Sequence, residues 1–247
     1  MLLSVPNLSV VMHRRIISFD LDGTLINWDF AEALWFRGMS EEYAKRWGLD
    51  LREAMDEVKR RYDAVGMERL EWYDIEYWWK EFDLPGSWRE LAERCRHVVG
   101  TYPEVHEVLG WLRERCDEMI VVTNGCRELS EIELEQSGIG RYVDRLFSVT
   151  SDFRTVKKDG SVYRRILAAI GASPDEVVHV GDNWIFDYLA PREAGIRAFF
   201  LDREGRSSGD GVVGDLREFA NAVASELFRD GEDAAGAAFR RGEPAGE

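Results

Sequence analysis

Carboxylate side chains cluster at two places in the chain where a short apolar run ends. Asp20 and Asp22 belong to the segment FDLDGTL, and Asp182 and Asp187 belong to GDNWIFD. Side chains two residues apart in a strand point the same way, but the chain turns at Gly23, so the Asp22 side chain can point separately from that of Asp20. Two neighbouring acids resist joint ionisation unless a cation lies between them or one of them carries a proton. The pair therefore suits a metal-assisted reaction in which one carboxylate is the nucleophile and the other carries a proton.

A second group of residues offers what an anionic substrate needs. Thr123 contributes a hydroxyl, and the backbone amides of Asn124 and Gly125 open a predicted helix whose N-terminus favours an anion. Lys157 contributes a fixed positive charge. A nucleophile, a proton donor, a metal ion and a positive charge are what phosphoryl transfer requires, and Mg²⁺ prefers carboxylate oxygen as a ligand.

Short β-rich apolar runs place these residues at strand ends. The runs alternate with helical patterns, which predicts an α/β fold with a parallel sheet and helices on both faces. In such a sheet the ligand site lies outside the carboxyl ends of the strands, where the polar residues fall. The predicted strands are 16–21, 119–123, 147–150, 177–180 and 198–201, and the predicted helices between them are 104–115, 128–137 and 162–170.

The segment between the first two strands is too long for a simple crossover. A βαβ unit takes about thirty or more residues, whereas roughly a hundred separate Asp20 from Thr123. The inserted stretch is rich in Trp, Tyr, Leu, Glu and Arg, and 49–70 is predicted to be helical, which indicates a small helical cap. Its aromatic residues, such as Trp72 and Trp79, could form the core of the cap or a substrate pocket. The predicted division is 1–28 and 98–229 for the catalytic core, 29–97 for the cap and 230–247 for a disordered tail.

Composition limits the partners and the compartment. The chain of 247 residues has a formal net charge of −15, which argues against nucleic acid or an anionic membrane as a partner. Cysteine occurs three times, at no metal-ligand spacing, and no stretch is long enough to span a membrane, so a reducing cytoplasm is expected. Translation could start at Met1 or at Met12. The oligomeric state, monomer or homodimer, stays open.

The motifs FDLDGTL (19–25), TNG (123–125), Lys157 and GDNWIFD (181–187) together resemble the haloacid dehalogenase superfamily of hydrolases. Their order and spacing match, and the resemblance covers most of residues 15–202. It is greatest to the phosphatase branch with a helical cap after the first motif, which includes phosphoglycolate phosphatase. The resemblance implies a Rossmann-like core and a Mg²⁺-dependent phosphohydrolase that acts on a small phosphorylated metabolite.

The resemblance also assigns roles within the first motif and around the metal. Asp20 would attack phosphorus and form an aspartyl-phosphate, and Asp22 would protonate the leaving oxygen and later activate water. Thr24 would help to hold Asp22. The metal site would comprise the Asp20 carboxylate, the backbone carbonyl of Asp22 and Asp182.

The later motifs would bind the phosphoryl group. Thr123 and the amide of Asn124 in the TNG segment would contact its oxygens, Lys157 would neutralise charge on Asp20 and on the phosphoryl group, and Asp187 would position that lysine or a metal-bound water.

Two departures from the family pattern leave alternatives open. The stretch VKKDGSVY (156–163) lacks the prolines usual near the family lysine, so Lys158 remains a second candidate beside Lys157. Haloacid dehalogenases lack the second aspartate of the first motif, so the presence of Asp22 favours a phosphate ester over a haloacid. A phosphomutase or a binding protein on the same fold is the other alternative.

Overall fold

A six-stranded parallel sheet forms the centre of the protein. The computed structural model describes residues 14–157 and 159–227. The strand order is β3-β2-β1-β4-β5-β6, so the first strand lies in the middle with β2 on one side and β4 on the other. The strands are β1 (Ile16–Phe19), β2 (Glu118–Thr123), β3 (Arg145–Ser148), β4 (Val177–Gly181), β5 (Arg197–Leu201) and β6 (Val212–Val213).

Helices connect the strands and cover the sheet. The sequence signals for their ends hold at Gly138 and Gly171, which adopt left-handed conformations (φ 72° and 64°) directly after a helix. The helices are α1 (Asp29–Ala31), α2 (Met39–Trp47), α3 (Leu51–Val65), α4 (Ile75–Glu81), α5 (Trp88–Cys95), α6 (Val105–Arg113), α7 (Arg127–Ser137), α8 (Val149–Phe153), α9 (Gly160–Ile170), α10 (Ala190–Glu193) and α11 (Leu216–Leu227), with π-helical turns at Glu32–Gly38 and Trp184–Leu189.

Successive residues of the central strands enter different cores. Ile17 and Phe19 of β1 pack in a cluster with α6 and α11, whereas Ile16 packs with α9 and α10. This alternation is the two-residue period of a strand buried on both faces. The predicted α/β class, a Rossmann-like parallel sheet with helices on both sides, is confirmed.

The helices between β1 and α6 form an insert with its own apolar core. Tyr62 is at its centre, with its ring 4.7 Å from that of Trp78 and 6.0 Å from that of Phe82. Leu129 of α7 belongs to the same cluster, so the insert packs on the sheet-bearing part of the molecule. Assignment of residues 29–97 to a separate cap remains a prediction.

The chain enters and leaves the insert at neighbouring points. Ile26 and Thr101 form an antiparallel bridge, and the amide of Asn27 donates to the carbonyl of Gly100 at 2.9 Å. The two connecting segments, 25–27 and 100–102, therefore run side by side. We call them the paired tethers.

Several predicted boundaries were wrong. The third strand is Arg145–Ser148, because Ser148 caps α8 by accepting from the amide of Ser151 and so ends the strand before Thr150. The helix predicted for 49–70 stops at Val65, where Gly66 has φ 78°. The short strand β6 was not predicted.

Three earlier predictions, the start at Met1 or Met12, the alternative Lys158 and the disordered tail 230–247, concern residues outside the described ranges. Within residues 14–157 and 159–227, no helix combines the length and the hydropathy needed to cross a bilayer.

Candidate active site

Asp20 lies at the carboxyl end of the central strand and is almost completely buried. Its amide donates to the carbonyl of Val180 at 3.0 Å, which extends the pairing of β1 with β4 up to the carboxylate. The hydroxyl of Thr24 donates to Asp20 Oδ2 at 3.3 Å. The sequence predicted that Thr24 would hold Asp22, but the chain turns back after Leu21 and brings Thr24 against Asp20 instead.

Gly23 allows the two acidic segments to approach each other. Its φ is +79°, and a Cβ added there would lie 2.1 Å from Asp182 Oδ2 and 2.7 Å from the Trp28 ring. Only a residue without a side chain fits this turn and leaves space for the Asp182 carboxylate.

Lys157 is a buried cation held between two carboxylates. Its ammonium donates to Asp20 Oδ1 at 2.5 Å, to Asp187 Oδ1 at 2.7 Å and to the carbonyl of Val122 at 2.9 Å. Burial by itself lowers the pKa of Lys157, but the two carboxylates outweigh burial and hold it well above its ordinary value. The lysine is therefore charged, and its three protons are all donated to protein acceptors.

Asp187 is fixed by several donors besides Lys157. Its Oδ2 accepts from the amide of Asn183 at 3.1 Å, and its Oδ1 lies 3.3 Å from His179 Nε2. Burial acts to raise the pKa of Asp187, yet Lys157 and His179 keep it below the usual value. His179 is itself buried, with its other ring nitrogen 2.7 Å from the hydroxyl of Ser18. This network ties the orientation of Lys157 to the interior of β1 and β4.

Asp22 points to a different wall of the site and meets Glu133 on α7. Burial raises the pKa of Asp22, an effect that a hydrogen bond with Glu133 partly offsets. Burial and the neighbouring Asp22 raise the pKa of Glu133 well above its usual value. Two buried carboxyl groups in contact share a proton, so this pair can hold a proton close to the reaction site. Glu133 was not among the residues predicted from the sequence.

An acidic cluster lies beside Asp20. One carboxylate oxygen each of Asp20, Asp182 and Asp187 lie within 4.8 Å of one another. The predicted metal set is the carboxylates of Asp20 and Asp182 with the backbone carbonyl of Asp22. The structure adds the carboxylate of Asp187 to the side-chain cluster. Burial, followed by the nearby Asp187, raises the pKa of Asp182 to about 7. A set of hard oxygen donors whose charges repel one another suits a divalent cation such as Mg²⁺.

The TNG segment is held rigidly at the end of β2. The hydroxyl of Thr123 accepts from the amide of Gly125 at 2.9 Å, and Asn124 Oδ1 accepts from the amide of Lys157 at 2.9 Å. The carbonyl of Asn124 accepts from the hydroxyl of Thr150 at 2.8 Å. The predicted phosphate-binding segment is thereby tied to the loop that carries the lysine.

A cavity of about 430 Å³ lies between the sheet edge and the insert. The aromatic residues of the insert divide between two positions. Trp78 and Trp79 are buried in the core of the insert, whereas Trp72 and Tyr73 line the cavity. The residues on the sheet side of the cavity include Asp20, Asp22, Thr123, Asn124, Gly125, Lys157, Asp182 and Asp187.

Known proteins are similar to this chain in both sequence and fold. Residues 15–195 match the model of the haloacid dehalogenase-like hydrolase family. The chain is 31% identical over 187 residues to phosphoserine phosphatase of Thermus thermophilus, covering 69% of this chain and 75% of the relative. It is 25% identical to the GMP/IMP nucleotidase YrfG of Escherichia coli over 68% of this chain and 73% of that protein. The crystal structure of a HAD phosphatase from Thermococcus onnurineus superposes with a TM-score of 0.77 at 23% identity, covering 87% of this chain and 100% of the other.

The central parallel sheet with acidic residues at its strand ends defines a Rossmann-like α/β protein with a carboxylate-rich site. The chain belongs to the haloacid dehalogenase-like hydrolase family. Within that family it is a phosphatase-type hydrolase, in line with the activities named for its relatives.

Proposed function

We propose that the protein is a Mg²⁺-dependent phosphohydrolase that releases phosphate from a small phosphate monoester through an aspartyl-phosphate on Asp20. The observation that carries the proposal is the position of Asp20 on the cavity wall, with Oδ1 bonded to Lys157 and Oδ2 to Thr24. Hydrogen bonds to both oxygens fix the plane of the carboxylate, which orients a lone pair for in-line attack. The differing substrates named for the relatives support the general reaction and select no one ester.

In the first step, an Asp20 oxygen forms a bond to phosphorus as the ester P–O bond breaks. Asp22 donates its proton to the departing alcohol oxygen. In the second step, Asp22 takes a proton from water, the water oxygen attacks phosphorus, and the Asp20–phosphorus bond breaks to give inorganic phosphate. The burial of Asp22 supports this role, because it raises the pKa of Asp22 and so favours a protonated carboxyl at the start.

The remaining site residues would position the phosphoryl group and neutralise negative charge. Thr123, Asn124 and Gly125 would bind phosphoryl oxygens at the start of α7, and Lys157 would offset charge on Asp20. We assign Mg²⁺ to the Asp20 and Asp182 carboxylates and the Asp22 carbonyl. Asp187 would hold Lys157, because its Oδ1 accepts from the ammonium while its Oδ2 is fixed by the amide of Asn183. When bound, Mg²⁺ would stabilise negative charge on the transferring phosphoryl group.

The direct test is phosphate release from a generic aryl phosphate and a panel of small phosphorylated metabolites, with Mg²⁺ and with a chelator. We expect release that requires Mg²⁺, and the ranking of the panel would begin to identify the substrate. Activity on a haloacid that survives chelation would support the dehalogenase alternative. No release from any ester by folded protein that binds Mg²⁺ would contradict the proposal.

Metal binding should also stabilise the fold in a pH-dependent way. The folded-state pKa of Asp182 is about 7, whereas its ordinary value is 3.8. Protonation of Asp182 therefore stabilises the metal-free fold fully below pH 3.8, and this stabilisation is lost as the pH rises through 7. Mg²⁺ needs the ionised carboxylate, so it should raise Tm more at pH 8 than at pH 5. The free energy of unfolding should rise by about 2.7 kcal/mol when Mg²⁺ is at a hundred times its dissociation constant.

Calorimetry of the whole chain would measure this difference. Asp182→Asn should lose most of the Mg²⁺ effect. Asp202→Asn is a matched control, because Asp202 is a buried aspartate just after β5 that does not line the cavity. Equal Tm increments at the two pH values would argue against Asp182 as a ligand.

We also propose a cytoplasmic location and a small-molecule partner, with neither nucleic acid nor membrane involved. Cys95, Cys116 and Cys126 are free thiols, which supports a reducing compartment, and the net charge of −15 disfavours polyanions.

A further inference from the structure

The cavity proposed to receive a phosphate ester is poor in positively charged side chains. Among the described residues that line it, Lys157 is the sole cationic side chain. Its three protons are donated to Asp20, Asp187 and Val122, so none is left for a second anionic group of a substrate. Acidic side chains also line the cavity, and these are Asp20, Asp22, Glu32, Glu133, Asp182 and Asp187.

The wall formed by α7 carries polar groups of a different kind. Glu133 is 4% exposed and Ser130, one helical turn before it, is completely buried. Within the described part of the chain, the hydroxyl of Ser130 has no hydrogen-bond partner. A buried hydroxyl that faces a cavity without a partner is suited to a hydrogen bond with a bound molecule. This wall therefore offers a neutral hydrogen bond and a carboxyl group where an anionic leaving group would need a cation.

The wall formed by the insert is aromatic. Trp35, Phe36, Tyr62, Trp72 and Tyr73 line the cavity, and Trp28 lies at its edge with 48% of its surface exposed. Aromatic faces attract apolar groups and cations, and they do not attract carboxylates or phosphates. A second negative charge on the substrate would lose its hydration and meet acids and π-faces.

We propose that the enzyme selects phosphate monoesters whose leaving group is neutral or cationic, and discriminates against leaving groups that carry a carboxylate or a further phosphate. This inference rests on the proposed phosphohydrolase function. Specificity is a difference between the affinities for the two kinds of ester. Here the affinity for the anionic ester would be lowered by repulsion from the acidic side chains and by the lack of a further cationic side chain among the described residues that line the cavity.

A series of two-carbon esters tests this selectivity at nearly constant size. The three members are phosphoglycolate, 2-hydroxyethyl phosphate and phosphoethanolamine, whose leaving groups are anionic, neutral and cationic. Phenyl phosphate and 4-carboxyphenyl phosphate form a second pair that fills more of the cavity. We expect kcat/KM for the neutral and cationic esters to exceed that for the carboxylate ester by at least about tenfold.

A variant that supplies the missing charge tests the cause. Met67 lines the cavity and is 48% exposed, so a lysine there can reach the interior from the rim. Met67→Lys should lower the ratio of kcat/KM for the neutral ester to kcat/KM for the carboxylate ester by about tenfold. Met67→Gln, which is similar in length but uncharged, separates the effect of charge from that of size.

The outcomes are distinct. Carboxylate esters cleaved as well as neutral ones would overturn this inference and leave the phosphohydrolase proposal standing. A preference that Met67→Lys leaves unchanged would overturn its electrostatic cause. No turnover of any ester, phenyl phosphate included, would overturn the proposed function and this inference with it.

Discussion

Asp20→Asn should abolish phosphate release, with kcat reduced by at least about 10³-fold. The change replaces one oxygen by an NH₂ group, so it removes the nucleophile with almost no change in shape. The fold should tolerate it. Burial and Asp187 raise the pKa of Asp20 well above its usual value, which means that ionised Asp20 weakens the metal-free fold. We therefore expect the Tm of the metal-free variant to equal or exceed that of the wild type.

Asp202→Asn is the matched control for this experiment. Asp202 also follows a strand of the same sheet and is buried, but it accepts hydrogen bonds from loop amides away from the cavity. Its variant should keep phosphate release within about a factor of two, since substitutions outside the site seldom alter the chemical step. Turnover by Asp20→Asn near the wild-type rate would exclude an aspartyl-phosphate on Asp20.

Lys157→Met should damage both activity and stability. The loss of the charge beside Asp20 removes electrostatic stabilisation worth about 10²-fold or more in kcat. It also leaves the buried carboxylates of Asp20 and Asp187 without their cation, which typically costs 3–5 kcal/mol. Urea unfolding at two pH values would measure the second effect.

The pH dependence of that cost has a definite sign. Lys157 helps to hold the folded pKa of Asp187 below its ordinary value, so the Asp187 contribution to stability is present above that value and is lost as pH falls. Without the lysine, burial would raise the pKa of Asp187. Asp187 would then be protonated at a higher pH than in the wild type, and protonation would remove its unpaired charge. The destabilisation should therefore be smaller at pH 5 than at pH 8.

The control for this variant is Lys59→Met, which removes an exposed lysine paired with Asp63 on α3. It should change stability by less than about 1 kcal/mol. A Lys157→Met protein as stable as Lys59→Met would show that the buried carboxylates do not depend on this cation, and it would direct attention to Lys158.

The site could be predicted from the sequence where its residues lie at strand ends. The carboxyl ends of parallel strands meet at one edge of the sheet, so Asp20, Thr123 and Asp182 had to be neighbours once the strands were recognised. The insert was predictable from its length alone. The contacts within the site were not predictable, because they depend on how each turn is folded. The Thr24 hydroxyl reaches Asp20 because of the tight turn after Leu21.

Glu133 and Ser130 were missed because they lie on a helix well after the TNG motif. A signal was nevertheless present. Leu129 and Leu134 mark the buried face of α7, and two polar residues interrupt that face. Polar residues at core-facing positions of a helix contradict the local pattern, and such contradictions are expected at functional sites. The pairing of Glu133 with Asp22 still required the structure, since no sequence spacing connects them.

The paired tethers have a consequence for how such a protein can diversify. The chain leaves the sheet at residue 27 and returns beside it at residue 100. The entropic cost of bringing these two points together therefore depends only weakly on the length of the segment between them. Lengthening, shortening or replacing the intervening segment would leave the strand register and the acidic residues in place. The acidic residues at the strand ends and the aromatic wall of the cavity thus lie in separable stretches of sequence, and a lineage can alter the second while retaining the first.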